Sequence, residues 1–332
     1  MLSNKLAISS LSLGQHPSHL LDHKIEVAAS HGFAGIEIVF SDIEVYARAK
    51  RLSLSEAAAE IQGICKAHRI EILSLAPFEN FEGHNSPLEA RLQTARKWIN
   101  IARILNATYL QVPAQYSSDC TGVEAVVVSE LQQLADLARA QQPVVSIAYE
   151  PMSWSTHSST WQTALHIVQC VDRPNFGLCL DSFHELTKLW ASPCDASGKL
   201  PNADHDLRAS LRDFQDHCPL DKIFYVQLSD GERFNPPFST SHPWYLEGEA
   251  PQFTWSRHAR PFPLETELGG YLPVPEVVKS WIAGNGFHGW VSLEIFDWRM
   301  RSPEFRPESA AYRGRQSWRR LQEALTHLGS NM

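Results

Sequence analysis

The chain has 332 residues, 43% hydrophobic and 20% charged, so it has ordinary globular composition and length enough for a full core. Its formal charge of −8 leaves no basic stripe and argues against a nucleic-acid partner. No apolar run reaches the roughly 18 residues of a membrane span, so no membrane association is expected.

Short β-rich runs alternate with longer helical patterns. The predicted strands in chain order are "KLAISS" (5–10), "GIEIVF" (35–40), "IEILSLAPF" (70–78) and "TYLQVPA" (108–114). The second four are "VVSIAYEP" (144–151), "FGLCLDS" (176–182), "IFYVQLSD" (223–230) and "WVSLEIF" (290–296). Most are nearly continuous apolar runs, as parallel strands covered on both faces require. Helical patterns are predicted over 55–67, 87–105, 123–141, 159–171, 205–217, 274–285 and 307–328. Eight β units, each followed by helical material, predict a single (β/α)8 TIM barrel spanning residues 1–332. A doubly wound sheet is the structural rival. It calls for a glycine-rich first turn, and "SSLSLGQHP" is not GxGxxG. The 231–273 stretch between strands seven and eight breaks the rhythm. It is long and rich in proline, aromatics and arginine, as active-site loops often are.

The start, "MLSNKLAISSLSLG", lacks the charged region, apolar block and cleavage site of a signal peptide. Six cysteines (Cys65, Cys120, Cys170, Cys179, Cys194, Cys218) are scattered without CxxC pairs. Reduced thiols in a cytoplasmic protein are the expectation, with Cys179 in the core.

Barrel enzymes take their catalytic residues from the C-terminal strand ends. Here those ends carry Glu37, Gln111, Glu150, Asp181, Gln227 and Glu294. Each alone has a plain structural role, such as a turn, a helix cap or a core amide. Together, Glu150, Asp181, Gln227 and Glu294 interrupt apolar strands with inward polarity. Converging buried carboxylates repel unless a cation joins them. Three carboxylates and an amide oxygen are hard donors, which favour Mg²⁺ or Mn²⁺, with Co²⁺ or Ni²⁺ as substitutes. His184 lies one turn beyond Asp181. It suits proton transfer at neutral pH, as a base, a ligand or a supporting group. His68, His157, His166 and His288 have no comparable context and are read as surface or packing residues. In the insertion, "SWSRHARPF" offers Ser256, Arg257 and Arg260 for an anionic substrate, since arginine pairs bidentately with carboxylate. "DGERF" (230–234) is expected to add charges close to the metal.

The segments "KLAISSLSLG", "HGFAGIEI", "AYEP", "RPNFGLCLDSFH", "VQLSDGERF", "WSRHARPFP", "GGYLPVPEV" and "GWVSLEIF" together resemble the fungal 3-dehydroshikimate dehydratases of quinate catabolism. Those enzymes belong to the xylose-isomerase-like barrel superfamily. The resemblance covers about residues 5–325. It implies metal ligands at Glu150, Asp181, Gln227 and Glu294. It implies catalytic roles for His184 and Glu150, and substrate contacts from Ser256, Arg260 and Tyr271. The implied reaction is metal-dependent dehydration of 3-dehydroshikimate, a small anionic ring, to protocatechuate. Two positions depart from the pattern: Ala76 stands where a glutamine is expected, and Met152 where an aromatic is expected. Both bear on the pocket. A sugar isomerase or 3-epimerase working through a metal-bound enediolate stays open, as does a relative that binds a shikimate-type ligand without turnover. Homo-oligomerisation also stays open.

Overall fold

The computed structural model describes residues 2–329 and closes eight parallel strands into one barrel. In order they are β1 (Leu6–Ser9), β2 (Gly35–Val39), β3 (Glu71–Ala76), β4 (Tyr109–Pro113), β5 (Ser146–Glu150), β6 (Phe176–Asp181) and β7 (Ile223–Leu228). A two-residue strand, β8 (Ala259–Arg260), lies outside the barrel, and β9 (Trp290–Leu293) closes it by pairing with both β7 and β1. A last short strand, β10 (Phe296–Asp297), pairs antiparallel with β8. The helices are α1 (Leu21–Ser30), α2 (Phe40–Lys50), α3 (Leu54–His68), α4 (Leu88–Leu105), α5 (Glu124–Arg139) and α6 (Trp161–Val171). They continue with α7 (Ser182–Leu189), α8 (Ala203–His217), α9 (Pro251–His258), α10 (Val274–Val278) and α11 (Pro307–Gly329). Among the described residues, no helix is long and apolar enough to cross a membrane.

Local chemistry starts these elements where the sequence suggests. Ser53 and Glu56 form a reciprocal capping box at α3, each side chain bonding the other's backbone N–H. Thr160 and Thr163 do the same at α6. The sequence reading omits α1, α2, α7 and α9. Each has at most 11 residues, too few turns to show a clear period, and α2 and α7 follow their strands with no connecting loop. The helix expected over 274–285 is α-helical only to Val278 and continues as a π turn over Lys279–Gly284.

The main hydrophobic core lies between strands and helices and includes Ile36, Leu110, Leu178 and Val226. A smaller cluster fills the barrel itself: Ala7, Leu73, Ala148, Cys179 and Tyr225. Side chains two residues apart on a strand share a face. Glu150, Asp181 and Gln227 follow Ala148, Cys179 and Tyr225 by two, so they too point inward, at the C-terminal mouth.

The eighth barrel strand is shorter than 290–296. It ends at Leu293 because the next backbone donors turn elsewhere: Glu294 N–H bonds Leu228 O at 3.2 Å, and Ile295 N–H bonds Ser12 Oγ at 2.7 Å. The chain then meets the insertion through the β8–β10 ribbon, which sets Phe296 opposite Arg260. The 231–273 segment is therefore an ordered structure with a helix and a strand of its own. Trp255 and Phe262 anchor it and are fully buried. Full burial of a side chain such as Phe262 contributes about 1.5–3 kcal/mol.

The charges of "DGERF" serve this insertion and not a metal. Asp230 is buried, and its carboxylate accepts the backbone N–H groups of Gly231, Leu264, Tyr271 and Leu272. Glu232 pairs with Arg299 at 3.0 Å, and Arg233 donates to Ala196 O at 2.6 Å. Asp230→Ala would leave these donors without their acceptor, each at a cost of about 1–3 kcal/mol if unsolvated. The expected result is a loss of more than about 3 kcal/mol in urea denaturation, with faster hydrogen exchange concentrated in 261–273.

Candidate active site and metal centre

Asp181 ends β6 and also caps α7, because its Oδ1 accepts the Phe183 N–H at 2.8 Å. Its Oδ2 faces the barrel mouth. There it accepts from Arg260 Nη2 at 2.5 Å and lies 3.6 Å from His184 Nε2. Asp181 thus caps the helix with one oxygen and turns the other into the carboxylate cluster. His184 sits in the first turn of α7, and its Nε2 is also 3.7 Å from Glu150 Oε1. Glu150, Asp181 and His184 thus offer three buried ligand atoms within 4.8 Å of one another.

Gln227 joins Glu294 to a second layer. Its Nε2 donates to Glu294 Oε1 and to both oxygens of Glu37, each at 3.1 Å, and its Oε1 accepts from Cys179 Sγ at 3.2 Å. Serving a cation with that oxygen requires the carboxamide to turn over. Glu37 also accepts from Ser74 at 2.8 Å, and Gln111 donates to Glu150. Both residues stand among the strand-end polar groups of the sequence, but nothing in one sequence distinguishes a supporting group from a ligand.

Arg260 crosses into this cluster from the insertion. Its guanidinium has five N–H donors. Nε bonds Ser229 Oγ at 2.9 Å, Nη1 bonds Ser256 Oγ at 3.2 Å, and Nη2 bonds Asp181 and lies 3.4 Å from Glu294 Oε2. Its Cζ lies over the Phe183 ring, 4.5 Å from the centroid. Ser256 and Arg260 are therefore brought together beside the carboxylate cluster. Tyr271 is engaged with other partners: its hydroxyl donates to Gly198 O at 2.8 Å and its ring packs against Trp190 and Trp255. It ties the insertion to the neighbouring loop and makes no hydrogen bond to the carboxylate cluster.

Three buried carboxylates (Glu37, Glu150, Asp181) and the largely buried Glu294 gather here, and Arg260 is the only lysine or arginine bonded to them among the described residues. The electrostatics follow. Burial, reinforced by repulsion from Glu294 and Asp181, pushes the Glu150 carboxyl well above its usual range. Burial raises Glu294 to about 8, and raises Asp181 despite the opposing Arg260. Burial and then the Arg260 charge hold His184 well below the ordinary imidazole value, so it is neutral. A neutral imidazole, three close carboxylates and a carboxamide short of positive charge fit a divalent cation. Glu150, Asp181 and His184 bring their ligand atoms closest together, and Gln227 and Glu294 adjoin them through Arg260 and their own hydrogen bond.

His184 accepts the Ser153 N–H on Nδ1 at 3.2 Å. The neutral ring then carries its proton on Nε2, toward Glu150 and Asp181. Trp154 meets the His184 ring edge-on at 4.6 Å between centroids, and Phe253 of α9 packs on Trp154 at 5.1 Å. The insertion so closes over the histidine. Ser153, Trp154 and Phe253 carry no signal of this in the sequence; only the fold brings them to His184. Ala76 and Met152, the two departures from pattern, are both buried.

Residues 25–322 match the xylose isomerase-like TIM barrel family. The chain belongs to that family. Among its relatives is the 3-dehydroshikimate dehydratase of Neurospora crassa, 38% identical over 98% of this chain and 95% of its own length. The 3-dehydroshikimate dehydratase of Pseudomonas aeruginosa is 29% identical over 88% of this chain, which spans only 38% of that longer relative. Among solved structures of the family, a xylose isomerase-like TIM barrel/4-hydroxyphenylpyruvate dioxygenase fusion protein superposes with a TM-score of 0.76 at 26% identity. That superposition covers 99% of this chain and 44% of the fusion protein.

Proposed function

We propose that this protein is a metal-dependent 3-dehydroshikimate dehydratase, a hydro-lyase that converts 3-dehydroshikimate to protocatechuate and water. The observation that carries this reading is the 38% identity to the Neurospora crassa enzyme across 98% of the chain. The site geometry agrees with it: buried hard donors beside a buried arginine suit a substrate that is both a ketone and a carboxylate.

Glu150, Asp181, Gln227 and Glu294 would hold the cation, with Mg²⁺ or Mn²⁺ favoured by their oxygen donors. When bound, such a cation supplies Lewis acidity that makes the hydrogen alpha to the ketone easier to remove. Arg260 and Ser256 orient the ring carboxylate, and Ser229 fixes the guanidinium that does so. Holding the ring in one pose removes orientational entropy from the barrier.

The reaction removes a proton from C4, expels the C5 hydroxyl as water, and aromatises the ring by tautomerisation. His184 is the proton-transfer group. To take the C4 proton on Nε2, the neutral ring must carry its own proton on Nδ1 and give up the Ser153 contact. The imidazolium so formed then returns the proton from Nε2 to the departing hydroxyl, so one imidazole serves first as base and then as acid and ends neutral. His184→Ala should lower kcat by roughly 10²–10⁴-fold while metal content, measured by elemental analysis, stays near that of the parent protein. Unpaired thiols at all six cysteines go with a cytoplasmic location.

The deciding experiment incubates purified protein, Mg²⁺ or Mn²⁺ and 3-dehydroshikimate, and follows the ultraviolet absorbance of protocatechuate. Absorbance should rise and EDTA should stop it. No product from fully metallated protein, or epimerisation of ketohexoses in its place, overturns the reading and leaves the fold standing.

A further inference from the structure

We propose that Glu124, His166 and Cys170 form a second metal site, for a zinc-class divalent cation, at the mouth of a cavity between α5 and α6. This site is remote in chemistry from the carboxylate cluster and does not rest on the dehydratase reading.

Glu124 is the first residue of α5. His166 and Cys170 are four residues apart on α6, so they lie on one face in successive turns. Glu124 Oε2 is 2.7 Å from His166 Nε2, and His166 Nε2 is 3.7 Å from Cys170 Sγ. All three donor atoms fall within 4.8 Å of one another. Around tetrahedral zinc, bond lengths of about 2.0–2.3 Å put neighbouring donors roughly 3.3–3.6 Å apart. The histidine and cysteine already stand close to that spacing. The glutamate must move away from the histidine by about half an ångström. The histidine and glutamate are exposed and the cysteine half-buried, so an ion reaches them without opening the core.

The donor set differs in kind from the barrel mouth. A thiolate and an imidazole select zinc-class ions over magnesium. The exposed Glu124–His166 pair on its own adds little stability, so its presence is not explained by folding.

A second observation points to a ligand here. Glu124 and His166 also line a cavity of about 360 Å³, whose lining contains no lysine or arginine. Glu82, Gln115 and Ser158 line the same cavity and are buried. Glu82 Oε2, Gln115 Nε2 and Ser158 Oγ each lack a hydrogen-bond partner. Three protein ligands leave a fourth position open, and these unpartnered groups are the ones to receive whatever occupies it. On binding, the Cys170 thiol gives its proton to solvent as the sulfur–metal bond forms, and the Glu124–His166 hydrogen bond breaks.

The test uses the full chain, stripped of metal and refilled with excess Mg²⁺ to occupy the barrel. Added Co²⁺ should give a near-ultraviolet thiolate-to-cobalt charge-transfer band that saturates at one equivalent. Cys170→Ser should remove the band. His166→Ala should weaken Co²⁺ binding by at least the roughly 10–100-fold that losing a mere supporting group costs a metal site. Neither change should alter turnover of 3-dehydroshikimate. In parallel, Zn²⁺ should protect Cys170 from iodoacetamide in peptide mapping, and a chelator should restore its labelling. Absence of both band and protection overturns the proposal. So does a band that survives Cys170→Ser, which would assign the thiolate to another cysteine.

Discussion

Glu150→Gln should abolish turnover while leaving the metal-free protein at least as stable as its parent. Glutamine keeps the size of the side chain and still offers an oxygen to the Gln111 amide. It removes one of the buried charges that repel one another, the repulsion that with burial holds the Glu150 carboxyl far above its usual range. A catalytic group and a stabilising group therefore give opposite results here. Loss of a metal ligand worth about 4 kcal/mol of transition-state stabilisation lowers kcat/KM about a thousandfold. Bound metal, measured by elemental analysis after gel filtration, should fall in step. A variant that keeps both metal and turnover would remove Glu150 from the centre.

Arg260→Ala should do the reverse to stability. Arg260 is fully buried, and its loss leaves Asp181 and Glu294 without their counter-charge. Breaking a buried pair by deleting one partner costs about 3–5 kcal/mol. Guanidinium denaturation of metal-free protein should show a loss of that size. Saturating Mg²⁺ should recover part of it, since the ion binds the folded state and supplies positive charge to the same carboxylates. Arg260→Lys should recover little, because one ammonium on a flexible stem cannot bond Ser229, Ser256 and Asp181 in the fixed fork of a guanidinium. Equal destabilisation with and without Mg²⁺ would show that the arginine and the ion do not share a site.

The barrel was legible because parallel strands sheathed on both faces must be apolar almost throughout, and a polar residue at the end of such a run stands out. That contrast marked Glu150, Asp181, Gln227 and Glu294, and the structure brings them together with His184 at one mouth. Other features were not legible for definite reasons. The resemblance points to Tyr271 for a substrate contact, and its hydroxyl also ties down a backbone carbonyl across the neighbouring loop. Asp230 looked like a further site charge, yet it gathers backbone donors from residues up to 42 positions away. Neither long-range partnership leaves a local pattern. The supporting roles of Gln111 and Glu37 depend on which neighbour each side chain faces, which strand pairing decides and spacing does not. The polarity of His184 is set by a backbone N–H from a different strand's loop. His166, unremarkable in sequence, has Cys170 one turn along its own helix and acquires Glu124 only when α5 and α6 pack.

The β8–β10 ribbon fixes Arg260 against Phe296 from outside the barrel, while Trp255 and Phe262 anchor the chain on either side of it. The more exposed aromatic tip over 234–250 hangs beyond these anchors. Substitutions or length changes in that tip can accumulate without moving the guanidinium or disturbing the charge balance at the mouth. The anchored part of the insertion and its exposed tip can thus diverge at different rates.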